Sequence, residues 1–287
     1  MKICFGTVIY KQAKEFFTDL IESVDKQTDK NFDLLITNDN YDLSELVEMG
    51  VLTEDNKPCQ VAKTINGVVR FVDLQPLHLS IAQTRIHMIR AAKELGYELL
   101  VIGDADDTFS STRIKEYKMA YKLDKSAAFF YNELVTDTGD TVLKNMPERV
   151  DNVRPISQAN FLGMSTTAIN LTQITDEWLD TLAEGDCAVF DWYFYSRMLM
   201  DVGYGRLVHN AATIYRIHEG NEVGITHDPV REKEVKLNHY KNLAKRYAYF
   251  KHLYDDLNQL DLARLDIEHD HQGYWWSNII MEDSYEI

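Results

Sequence analysis

Apolar positions in the first third of the chain follow two alternating rhythms. Residues 2–10 (KICFGTVIY) form a short apolar run, the pattern of a buried strand. Residues 13–26 then carry Phe16, Phe17, Leu20, Ile21 and Val24, spaced as one stripe of a helix. The alternation repeats. Residues 32–37 (FDLLIT) read as a strand running into the polar cluster NDNYD, and residues 68–73 as another. Residues 80–95 read as a helix with Ser80 as its N-cap, and residues 98–103 as a fourth strand. Strands alternating with helices predict an α/β fold with a mostly parallel central sheet flanked by helices. Ligands of such sheets bind beyond the C-terminal strand ends. Three polar clusters fall there: Tyr10-Lys11, Asn38-Asp39-Asn40, and the acids of residues 104–107. They are predicted to gather on one rim.

The middle is less regular. Residues 127–135 and 141–143 read as a hairpin around Asp137, Thr138, Gly139 and Asp140. Helices are predicted over 176–182 and 192–202, and short strands over 206–208 and 212–217. Residues 229–251 hold seven Lys or Arg and two Glu, together with Tyr240, Tyr247, Tyr249 and Phe250. They read as one long basic helix.

Composition narrows the class. A length of 287 residues with 45% apolar content suits one large α/β domain, with or without an appendage. The net charge of −16 opposes broad nucleic-acid binding, which needs clustered cations to replace counterions. It leaves room for a nucleotide, whose diphosphate one metal ion can neutralise. The cysteines, Cys4, Cys59 and Cys187, have no metal-binding spacing, which points to a reducing, cytoplasmic setting. The first residues lack the length of a signal peptide, and no apolar run approaches the ~20 residues of a bilayer span.

The candidate chemistry centres on ELLVIGDADDTFSS, residues 98–111, where Asp104, Asp106 and Asp107 crowd together. Carboxylates at i and i+2 in extended backbone share a side. Asp104 and Asp106 can therefore bracket Mn²⁺ or Mg²⁺, hard ions that prefer oxygen ligands and also bind substrate phosphates. A second chemistry fits the same string. Asp104 can be the nucleophile and Asp106 the general acid of a haloacid-dehalogenase-type phosphatase, whose pattern D-x-D-x-T is present. A solvated turn, with Asp107 or Ser110 capping the next helix, is the third reading.

The surrounding sequence separates them. The phosphatase motif ends the first strand of its domain, whereas here at least three strands come earlier. Other stretches bear a family likeness. VIYKQAKEFFTDLIESVDKQTDKNFDLLITND resembles the start of family 2 glycosyltransferases through Tyr10-Lys11, Ser23, Gln27-Thr28 and Asn38-Asp39. QTRIHMIRAAKELGYELLVIGDADD is similar to their Ala-Arg-Asn to Asp-x-Asp-Asp passage. FDWYFYSRMLMDVGYGRLVHNAATIYRIHEGNEVG is similar to their closing stretch. The resemblance covers about residues 1–224. It implies a GT-A domain there, with a nucleotide-binding half (1–110) and an acceptor-binding half (111–224). Residues 225–287 would then form a helical C-terminal extension.

The family resemblance also implies roles. Such enzymes transfer a sugar from a nucleotide-sugar donor, UDP-linked by expectation, to a saccharide or lipid-linked acceptor, with inversion. Tyr10 matches the residue flanking the base, and Asp39 the acid that accepts from a base N–H. Arg85 matches a cation near the nucleotide, Asp104 the residue reaching ribose or metal, and Asp106 the metal ligand. Asp191 matches the catalytic base, with Asp186 second. Arg216 and His218, in YRIHEGN, match a motif near the diphosphate, with His218 a further metal ligand. The chain departs from the pattern at Asn38, Lys11, Ile86 and Phe190, where the family commonly has Asp, Asn, Asn and an acid. A nucleotide-sugar-binding relative without catalysis is the remaining alternative.

Two features stand outside the likeness. EHDHQGYWW, residues 268–276, offers aromatic rings to an acceptor sugar or packs on the body. The basic stretch 229–251 suits peripheral contact with an anionic inner membrane face or a plain solvated helix.

Overall fold

The computed structural model describes residues 1–182, 187–216, 228–262 and 273–287. In chain order the elements are β1 (Ile3–Ile9), α1 (Phe17–Asp25), β2 (Asp33–Asn38), α2 (Leu43–Glu48), β3 (Val69–Asp73), α3 (Ile81–Glu94), β4 (Leu99–Ile102), β5 (Thr108–Phe109) and α4 (Arg113–Leu123). There follow β6 (Phe129–Thr136), β7 (Arg149–Val150), β8 (Thr167–Asn170), α5 (Asp176–Leu182), α6 (Phe190–Asp201), β9 (Gly205–Tyr215), α7 (Pro229–Ala244) and α8 (Ala248–Gln259).

One sheet joins every strand in the order β3-β2-β1-β4-β8-β6-β9-β5, with β7 beside β9. β3, β2, β1 and β4 are parallel neighbours. β8 runs against β4 and β6, and β6 runs parallel to β9. Side chains alternate across the sheet with period two. Cys4, Val8, Leu100 and Ile102 join one apolar layer with Trp192, Phe194, Tyr240, Phe250 and Ile279. Phe5, Ile9, Leu99 and Val101 join the other with Leu20, Leu46 and Tyr117. The first layer thus takes in residues of α6, α7, α8 and the C-terminal segment, so residues 228–262 and 273–287 share the core of the sheet domain.

Several expectations change. β9 is one strand, not two. It bulges opposite Tyr131 and Glu133 near Asn210, whose φ is 59°, so the polar His209-Asn210 pair that reads as a break is absorbed in the ladder. The long basic helix is two helices. Tyr247, between α7 and α8, accepts from Arg197 Nε at 2.8 Å and donates to Asp201 at 2.7 Å, and this bonding to α6 turns the chain. The hairpin after β6 is reduced to a single bridge, Val135 with Thr141. The α3 helix opens as predicted, with a capping box between Ser80 and Gln83.

Candidate active site

The parallel strands end together. Ile9 is level with Asn38 and Asn38 with Asp73, and Gly103 N–H donates to Gly6 carbonyl. Beyond these ends lies a cavity of about 880 Å³. Tyr10, Asp39, Arg85, Asp104, Asp106 and Asp191 all line it, so the structure brings six of the predicted residues to one place. Arg216 is placed differently. Its guanidinium pairs with Asp19 at 2.7 Å and lies over the Phe16 ring, while its backbone N–H serves Asp107. His218 and Asp186 lie outside the described residues, as do residues 268–272 of EHDHQGYWW.

The acid loop is built from beneath. Gly103 has no room for a side chain: a Cβ there would meet the rings of Phe5 and Phe109 at 2.4 Å. Those rings pack edge to face, with centroids 5.1 Å apart. Arg113, fully buried at the start of α4, lies 4.5 Å from the Phe109 centroid. It donates to Ile102 carbonyl at 2.8 Å and Ser165 carbonyl at 2.6 Å. Ser165 Oγ in turn accepts from Asp104 N–H at 3.1 Å and donates to Asp107 Oδ2 at 2.5 Å. Asp107 therefore caps no helix. It is buried, and burial together with the charges of Asp104 and Asp106 pushes its carboxyl up to about 8. The same field reaches outward. Burial, Asp106 and Asp104 push the Tyr10 hydroxyl well up, and burial with Asp107, Asp106 and Asp104 pushes Tyr215 up to about 12.

Arg85 projects from the second turn of α3 and pairs with Asp104 Oδ1. Its Nη1 is buried with no hydrogen-bond partner among the described residues. The side chain as a whole, 14% exposed, brings a positive charge to the cavity wall.

Asn38 explains one departure. Its side chain is fully buried, accepts from Tyr41 N–H at 2.9 Å, and donates to Tyr41 carbonyl and Asp73 Oδ1, both at 3.0 Å. An Asp here would set a carboxylate against Asp73. Asn38 closes the turn that delivers Asp39 to the cavity. Gln27, from the family-like Gln-Thr pair, ties α1 to the loop beyond the acids. It donates to Ser110 carbonyl at 2.9 Å and accepts from Ile114 N–H at 3.0 Å.

Asp191 sits in the first turn of α6 rather than before it. Its neighbours Phe190 and Trp192 are buried, and Trp192 Nε1 donates to Ile156 carbonyl at 2.5 Å. These anchors turn Asp191 into the cavity, where Oδ2 accepts from Met164 N–H at 2.9 Å. Desolvation pushes its carboxyl up, Arg85 opposes this, Asp104 adds to it, and the result is about 6.

Sequence reasoning missed Arg113 and Ser165. A lone Arg after FSST and a Ser in an irregular stretch carry no periodic signal, and their partners are distant in sequence.

No protein-family model matches the sequence, and no curated protein does. Solved structures do. TarS 1–349 of S. aureus in complex with UDP-GlcNAc superposes with a TM-score of 0.58 at 13% identity, over 90% of this chain and 72% of that one. The mannosyltransferase PcManGT of Pyrobaculum calidifontis, in complex with GDP-Man and Mn²⁺, gives 0.52 at 10% identity, over 86% and 65%. The α/β fold that the strand pattern predicted, and the GT-A type that the family resemblance implied, match the fold of these proteins.

Proposed function

We propose that the chain is an inverting glycosyltransferase that uses a nucleotide-sugar donor. The observation that carries this is the convergence of Tyr10, Asp39, Arg85, the acid loop and Asp191 on one cavity of a GT-A fold. The phosphatase alternative loses its support, because Asp104 follows the fourth strand and is paired with Arg85. Tyr10 and Asp39 hold the base, and Arg85 meets the diphosphate. UDP and GDP donors are both candidates, since the two fold neighbours bind UDP-GlcNAc and GDP-Man.

A divalent cation fits the acid loop. Its donors are hard carboxylate oxygens, and three acids crowd into residues 104–107. Among the described residues, no three acids or histidines converge to hold an ion alone. Asp106, with Asp104 shared with Arg85, would hold Mn²⁺ or Mg²⁺ with donor phosphate oxygens completing its shell. When bound, it supplies neutralising charge for the departing diphosphate.

In the transfer step the acceptor hydroxyl oxygen attacks the anomeric carbon from the face opposite the diphosphate. The bond from that carbon to the phosphate oxygen breaks, and the nucleoside diphosphate leaves with the electron pair. The hydroxyl proton passes to the Asp191 carboxylate. Met164 N–H orients that carboxylate.

The acceptor is taken to be a saccharide or lipid-linked saccharide. No helix among the described residues is long and apolar enough to cross a membrane. In α7 and α8 the aromatic residues Tyr240, Tyr249 and Phe250 face inward. A peripheral membrane contact through 229–251 would therefore rest on exposed Arg231, Lys241, Lys245, Arg246 and Lys251, with Val230 its exposed large apolar residue. The test is release of nucleoside diphosphate from UDP- and GDP-sugars with Mn²⁺. Release that Asp106→Asn leaves untouched, or no release from any donor, overturns the reading.

A further inference from the structure

The cavity has a second wall that the donor does not need. Residues 273–287 run back over the domain as a strap, and Trp275 and Trp276 from it line the cavity. Trp275 exchanges backbone hydrogen bonds with Asn160 at 2.8 and 2.9 Å. Its ring edge flanks Gly163: a Cβ built there would lie 3.6 Å from Trp275 and 3.7 Å from Asp191 Oδ2. The indole and the Asp191 carboxylate therefore both border the space where a side chain at this glycine would sit.

The strap is held firmly. Glu232 of α7, 2% exposed, accepts from Asn278 Nδ2 at 2.7 Å and from Ile279 N–H at 2.8 Å. Lys236, fully buried, pairs with Glu232 at 2.9 Å and donates to Ile279 carbonyl. Gln158 brackets Met281 through its amide and carbonyl, at 2.9 and 2.7 Å. Against these anchors Trp276 keeps a φ of 61°, a left-handed conformation that costs a bulky residue about 1–2 kcal/mol. Bulky residues persist there only where the surroundings over-determine them, often at ligand sites.

The charges divide the cavity. Its lining cations, Lys11 and Arg85, belong to the side that carries Tyr10, Asp39 and the acid loop. The wall around Asp191 is made of Leu162, Gly163, Val189, Trp275 and Trp276, with the Asn160 side chain already bonded to Leu162. It offers broad apolar faces, and Arg85, whose charge reaches Asp191, is already paired with Asp104.

Resting on the transferase reading above, we infer that Trp275 and Trp276 form the acceptor subsite and that its occupant is an uncharged pyranose ring. Such a ring lays its C–H face on the indole and turns one hydroxyl edge toward Asp191. Open-chain polyols lack that face, and a phosphate at the reacting end would meet the Asp191 carboxylate and compete with Asp104 for Arg85.

The test is saturation-transfer NMR on the full chain with UDP or GDP and Mn²⁺. The probes are methyl β-glucoside, methyl β-galactoside and methyl α-mannoside, with ribitol as the open-chain control. At least one pyranoside should give a signal several-fold above ribitol. Trp275→Ala with Trp276→Ala should cut it at least fivefold, and Trp275→Phe should restore most of it in a protein of unchanged melting temperature. No pyranoside signal, a ribitol signal as strong, or a signal indifferent to the alanines overturns the inference. Nucleotide binding, read by thermal shift on the same samples, separates the two claims. A nucleotide that binds while pyranosides do not sinks only the acceptor subsite, and failure of every nucleotide sinks the donor reading.

Discussion

At the scale of single residues, the site works through carboxylates whose surroundings set their roles. As the proposed base, Asp191 must be ionised to take a proton, and desolvation in the cavity pushes its carboxyl up to about 6. Transfer should therefore rise with pH through about 6 and level off above it. A profile of kcat/KM against pH checks this, and Asp191→Asn should lose roughly 10²–10⁴-fold while donor binding remains. Linkage gives a second readout. A carboxyl raised in the folded state adds stability that is present below about 4 and lost as pH rises through about 6. The stability of the ligand-free chain should fall across that window, and Asp191→Asn should flatten the slope. Asn38 is the converse case, an amide whose neutrality matters. Asn38→Asp should cost about 1–3 kcal/mol in urea unfolding, because a buried carboxylate would replace the donor that Asp73 and Tyr41 require.

At the scale of elements, the acid loop depends on what lies under it. Gly103→Ala would drive a methyl group into Phe5 and Phe109 and should cost about 1–3 kcal/mol in the same measurement. It should also weaken metal-dependent nucleotide binding by moving the loop. The strap depends on a buried pair. Glu232→Ala strands Lys236 and frees the Asn278 and Ile279 donors, which should cost about 3–5 kcal/mol and open residues 273–287 to limited proteolysis. Elements with a strong local signal were legible in the chain itself. The β1–β4 alternation and the Ser80 cap are written in adjacent residues. The α7–α8 break and the unity of β9 are not, because Tyr247 is turned by Arg197 and Asp201 and Asn210 is carried by pairing with β6. Both depend on partners far away in sequence. For the same reason Asp107 looked like a cap: its partner, Ser165, comes from the far half of the chain.

For the molecule as a whole, the rim was legible because strand ends in a parallel sheet must gather, whatever the details of the loops. The support behind it was not, since Arg113 and Ser165 act through contacts across the sheet. The two together make a cavity in which the acids of residues 104–107 share the lining with the cations Lys11 and Arg85. Nucleoside diphosphate with Mn²⁺ at about 100 times its Kd should stabilise the folded chain by about 2.7 kcal/mol, and chelation should abolish the shift. For a chain of this size that is roughly 4–5 °C in Tm, readable by differential scanning fluorimetry.

The strap also sets an order of assembly. Domains begin to fold from the N-terminus as they leave the ribosome. The strands that deliver Tyr10, Asp39 and the acid loop emerge first, Asp191 follows, and the wall of Trp275 and Trp276 arrives only with the strap. A nascent chain therefore passes through a stage at which the strand ends that line the cavity have been translated and the wall of Trp275 and Trp276 has not. A stop codon between α6 and Trp275 would remove that wall together with the part of the apolar layer supplied by α7 and α8, so the product should lose stability as well as the wall.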